Sequence, residues 1–138
     1  MALVRSMSEF QFPEEGILWR GWSDETLSAI AEKKRPVLLF IADPDPFIQP
    51  FLREILHAMP ANAKLRALLH ESFLALLIKA DDLPEQLKEL GAGSAYHIAV
   101  LSPYGLTPMV TIDPVNGKPA EVVTSIVSVL ERLVEVWR

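Results

Sequence analysis

The apolar run Val37 to Ile41 has no polar interruption, which is the pattern of a strand buried on both faces. It breaks into a loop rich in Asp and Pro. From Phe47 to about His57 the pattern becomes helical, with apolar positions at Phe47, Phe51, Leu52, Ile55 and Leu56. A buried strand that runs through a loop into a helix N-terminus is where many α/β proteins place their chemistry.

The remaining elements follow from the same periodicities. Ile17-Leu18-Trp19 reads as a short first strand. Ser23 is a helix N-cap followed by Asp24 and Glu25, and Leu27, Ile30 and Ala31 form the inward stripe of a helix that ends near Lys34. Asn62 caps a short helix through Leu65, Leu68 and Leu69. Phe73 to Ala80 is helix or strand by composition, and its acidic flanks favour a strand. A short helix starts at Leu83-Pro84-Glu85, turns Leu87 and Leu90 inward, and ends at Gly91. Ile98–Leu101 and Met109–Ile112 are two further strands, and Asn116-Gly117 is a turn. A last helix covers Pro119 to Val136, with Val122, Ile126, Val129, Leu130, Leu133 and Trp137 at helical spacing. Val123, Val127 and Val134 widen its apolar face, which suits either a core contact or a homodimer surface. The order is βαβα(α)βαββα: parallel strands joined by helices, then an antiparallel pair and a helix, hence an α/β fold.

Composition narrows the function. The 138 residues fit one domain, and half of them are hydrophobic, which excludes a disordered chain. We expect an N-terminal extension over 1–16 and a folded domain over 17–138. No apolar run is long enough to span a membrane, and the first ten residues lack the apolar stretch of a signal peptide, so the expected location is cytoplasmic. A net charge of −5 argues against a nucleic-acid partner. The densest cations, Lys33-Lys34-Arg35, fall at a helix C-terminus, where they offset the dipole. There is no cysteine, so disulfides, thiolate nucleophiles and cysteine-held metals are excluded.

Asp43 and Asp45 follow one parallel strand, and Asp81 and Asp82 follow another. The carboxyl ends of parallel strands share one end of a sheet, so these carboxylates are candidates to hold a cation such as Mg²⁺. Asp43 and Asp45 also suit turns or a helix cap. His57, His70 and His97 lie on separate elements without metal-ligand spacing, and no nucleophile elbow or phosphate loop is present. No cofactor is expected.

Several stretches resemble the thioredoxin superfamily. Trp19-Arg20-Gly21-Trp22-Ser23-Asp24-Glu25 is similar to the Trp-x-x-Trp-Ser-x-Glu opening of one of its subgroups. The similarity continues through Lys34 to Ile41, Phe73 to Asp82, and the Leu-x-Pro-x-Gly segment from Leu101 to Gly105. It covers nearly all of the chain from Ile17. The resemblance implies a three-layer α/β/α sandwich with a mixed sheet of four to five strands. The family's Cys-x-x-Cys falls on Pro46, Phe47, Ile48 and Gln49, and its cis-proline falls near Tyr96-His97. With neither feature present, thiol–disulfide exchange is excluded and a trans bond is expected at Tyr96-His97.

In that fold the groove between the two loops receives extended polypeptide. Phe47, Ile48 and Tyr96 are then candidates for a protein-binding patch. The other reading makes Phe47 the first core residue of its helix, with Tyr96 packed against it. The leading expectation is a redox-inactive, cytoplasmic, protein-binding module: a chaperone, adaptor or assembly factor. Cysteine-free thioredoxin-like proteins that attend hydrogenase maturation are a precedent, and their strand and Asp-Pro loop are loosely similar. The alternatives are an enzyme or small-molecule binder using the four aspartates, or a subunit that oligomerises through the last helix.

Overall fold

The computed structural model describes residues 16–115 and 117–137. The extension over 1–16 (Gly16 apart), Asn116 of the expected turn and the Trp137 side chain lie outside the described residues.

Strand β2 (Val37–Ala42) is the centre of the molecule, and all of its residues are at most 1% exposed. Its side chains alternate between two cores. Leu38, Phe40 and Ala42 enter one, and Val37, Leu39 and Ile41 enter the other. Each fully buried Val, Leu, Ile or Phe contributes roughly 1.5–3 kcal/mol relative to exposure. Strand β3 (Leu74–Lys79) lies parallel to β2, in register from Val37 opposite Leu74 to Ala42 opposite Lys79. That pairing decides the ambiguous run after Phe73, because this position in the sheet accepts apolar side chains on both faces.

The short strand β1 (Trp19–Arg20) pairs parallel with β3, and Trp19 meets Phe40 edge-to-face at 6.0 Å. Strand β4 (Ile98–Leu101) runs antiparallel to β2, and β5 (Pro108–Ile112) antiparallel to β4. The result is a five-stranded mixed sheet in the order β1-β3-β2-β4-β5.

Helices cover both faces of this sheet. On one side, α2 (Gln49–Ala58), α3 (Ala63–Glu71) and α5 (Pro119–Trp137) bury Leu52, Leu65 and Ile126 against Phe40. On the other, α1 (Asp24–Lys33) and α4 (Glu85–Glu89) bury Ile30 and Leu87 against Leu39. The apolar face of α5 lies largely in the first core, through Val122, Val123, Ile126, Val127 and Leu130. Among the described residues no helix is long and apolar enough to cross a membrane.

Helix boundaries follow their caps. Asn62 Oδ1 accepts from the Leu65 amide at 3.0 Å and starts α3. Ser23 Oγ accepts from the Thr26 amide at 3.1 Å, and Thr26 Oγ1 donates to the Gly21 carbonyl at 2.7 Å. That second bond satisfies a buried hydroxyl, so the inward positions of α1 are Thr26 and Ile30. Leu27 is half-buried, and Ala31, expected to face inward, is exposed. In α2 the buried stripe is Leu52, Ile55 and Leu56, continued by Met59 in the following 3₁₀ turn. The helix starts at Gln49, two residues later than expected, and Phe51 falls beside the stripe at 40% exposure.

Lys34 closes α1 in the left-handed region, at φ 53° and ψ 38°, with its amide bonded to the Ile30 carbonyl. A side chain in that conformation costs roughly 1–2 kcal/mol that glycine does not. Lys34→Gly is therefore expected to raise stability by about 0.5–1 kcal/mol, measured as a higher urea midpoint at unchanged slope.

Candidate functional site

Beyond Ala42 the chain leaves the sheet through Asp43-Pro44-Asp45-Pro46-Phe47-Ile48, and each aspartate folds the loop back on itself. Asp43 Oδ1 accepts from the Asp45 amide at 3.0 Å, and Asp45 Oδ1 accepts from the Phe47 amide at 2.9 Å. The Asp45 carbonyl then accepts from the Ile48 and Gln49 amides, which leads into α2. Pro44 and Pro46 fix φ between these bonds. The loop is pinned, although most of it is exposed.

The second oxygen of Asp43 reaches across the sheet. Its Oδ2 lies 2.8 Å from His97 Nε2, and the two side chains are 18% and 16% exposed. The His97 carbonyl accepts from the Ile41 amide at 2.8 Å, which extends the β2–β4 pairing past the strand ends. Aspartate and histidine are thus joined through both backbone and side chain at the carboxyl end of β2. Among the described residues no hydroxyl is hydrogen-bonded to His97.

The segment before His97 is a tight turn. The Ala95 amide donates to the Gly91 carbonyl at 2.8 Å, and the Gly93 amide to the Tyr96 carbonyl at 2.9 Å. Gly93 has φ +83°, and a Cβ there would stand 2.8 Å from Leu83 Cδ1. This turn directs the Tyr96 ring into the core with Leu83 and Leu87, at 6% exposure. Among the described residues its hydroxyl has no hydrogen-bond partner, and burial raises its pKa above the ordinary value of 10.0. Every peptide bond among the described residues is trans, Tyr96–His97 included.

A groove of about 300 Å³ separates the loop from the end of β5, and its lining brings Ile48 together with Tyr96 and His97, opposite Ile112, Asp113 and Pro114. Of the candidate positions Pro46 to Gln49, Ile48 lines this groove and Gln49 begins α2. Pro46 is exposed, and Phe47 stands 87% exposed. Phe47 is therefore not the first core residue of its helix, and Tyr96 does not pack with it as an exposed partner contact. The pinned loop holds Phe47 outward, while the glycine turn sends Tyr96 into the opposite core.

Asp81 and Asp82 lie exposed in the 3₁₀ turn Ala80–Asp82. No group of three or more His, Asp or Glu side chains that could hold a metal occurs among the described residues. His57 and His70 are exposed on α2 and α3.

Two measurements probe this arrangement. A double-mutant cycle of Asp43→Asn and His97→Ala is expected to give a coupling of about 1–2 kcal/mol in urea unfolding, and additive effects would mean the contact contributes nothing. Tyr96→Phe removes an unpartnered buried hydroxyl and is expected to be neutral or stabilising by up to about 1 kcal/mol near neutral pH. Because burial raises the Tyr96 pKa, the folded state holds the proton more tightly than the unfolded state. That contribution is complete below the ordinary tyrosine pKa and is lost as pH rises through the folded value. The stability advantage of Tyr96→Phe should therefore widen between about pH 9 and 11. Compared with known proteins, the chain matches no family model, and no curated protein sequence matches it.

Proposed function

We propose that the chain is a redox-inactive thioredoxin-like domain that binds another polypeptide, as a chaperone, adaptor or assembly factor. The observation that carries this reading is Phe47. A large aromatic ring stands 87% exposed on a loop held by the hydrogen bonds of Asp43 and Asp45. An apolar side chain fixed in water gives nothing to folding, whereas a partner that covers it gains burial at little ordering cost. Phe51, at 40% exposure, lies one helical turn away, and the groove begins at Ile48. Together they offer an apolar anchor next to a groove of mixed apolar and polar lining, which suits a segment of extended chain.

The test is affinity capture from an extract of the source organism, comparing wild type with a Phe47→Ala, Phe51→Ala variant. Tyr96 stays intact because it is part of the core. Both substitutions are at exposed positions, so stability should change by no more than about 0.5 kcal/mol, checked by circular dichroism and urea unfolding. A partner held by wild type and lost from the variant is the expected result. A partner retained equally by both would place the interface elsewhere and reject the reading.

A further inference from the structure

At the amino ends of the parallel strands, about 20 Å from Asp43 along β2, lies a concavity of different chemistry. Its volume is about 170 Å³, and Leu18, Arg20, Lys33, Arg35, His70 and Phe73 line it. The polar members come from separate places: Arg20 from β1, Lys33 from the end of α1, Arg35 from the entry to β2, and His70 from α3. Arg66 stands at the rim, where its Cδ would lie 2.9 Å from a Cβ placed on Gly16, itself a lining residue. In a chain of net charge −5, the folding brings Arg20 and His70 to the Lys33–Arg35 cluster, from which they are distant in sequence.

Among the described residues no carboxylate lies within 4.0 Å of Arg20, Lys33 or Arg35 to neutralise it. The carbonyl ends of α1 and α3 reach the same concavity, and Arg35 Nη1 donates to the His70 carbonyl at 3.3 Å. Each helix end supplies about half a negative charge. Set against three full positive charges, the two ends leave an excess of about two. Guanidinium forks and ammonium groups are the side-chain donors that phosphate oxygens favour. The space is smaller than the roughly 300–1,000 Å³ of pockets for drug-sized ligands, so a nucleotide does not fit inside it.

We propose that this concavity is a binding site for a phosphate dianion, taken as inorganic phosphate or as the phosphate group of a small monoester. Arg20 and Arg35 supply the paired donors and Lys33 the added charge. The hydrogen bond from Arg35 to the His70 carbonyl holds one fork in place before the ligand arrives.

The test titrates the full chain with inorganic phosphate, and with O-phosphoserine against serine, at constant ionic strength and followed by amide NMR shifts. The expected result is saturable shifts centred on Arg20, Lys33, Arg35 and His70, with affinity reduced about tenfold in Arg20→Gln. Lys33→Gln, at an exposed position, should weaken binding without touching the core. Saturation by phosphate and phosphoserine but not serine supports the monoester form, and saturation by phosphate alone supports the free ion. Absence of saturable shifts, or shifts undiminished in both variants, overturns the proposal.

Discussion

The burial of β2 on both faces is the constraint on which the other parts depend. A strand with no exposed side needs helices above and below it and a paired strand on each side. β3 and β4 supply the pairs, and the two helical layers supply the cover. No side chain in Val37–Ala42 can be polar under those conditions, because a buried polar group without a partner costs more than any single apolar contact returns. Polar chemistry is thereby displaced to the two ends of the strand.

Those ends differ in kind. At the carboxyl end, an aspartate is used internally: it bonds its own loop with one oxygen and a neighbouring histidine with the other. Its acceptor capacity is largely committed to structure, and the exposed feature that remains is an aromatic ring. At the amino end, three cations remain without carboxylate partners among the described residues. One end therefore presents an apolar side chain that water hydrates poorly, and the other a concentrated positive field. Both rest on the same rigid strand, so neither requires a moving part.

How much of this was legible in the sequence depends on the range of the interaction. Elements set by local pattern were readable. Val37–Ala42 and Ile98–Leu101 are apolar runs, and the Asn62 and Ser23 caps act within three residues. Tyr96 was misread because its direction is set by the glycine turn and by a leucine pocket from α4, neither of which shows in its own neighbours. The reading of Phe47 as the first core residue of its helix fails because apolar periodicity counts a phenylalanine as core. The two Asx-type bonds that delay the helix start are local, and the alternation of Asp and Pro was the signal for them. Asp43 and His97 were each noticed, but their pairing spans 54 positions and depends on strand register. The cationic concavity has four contributing elements, and no linear window contains them.

The strand order carries a consequence for synthesis. β1 and β2 emerge first, yet they are not neighbours: β3 lies between them, and β2's other partner, β4, comes later still. A growing chain that has delivered residues up to Ala42 holds no strand pair, and it must wait until Lys79 for the first complete one. At ordinary translation rates of about 5–20 residues per second, that interval is roughly 2–7 s. Throughout it, Val-Leu-Leu-Phe-Ile-Ala is an apolar, uncharged segment with both edges open, the kind of segment most prone to pair with another chain. The stretch that makes the finished molecule stable is thus its greatest liability while it is being made.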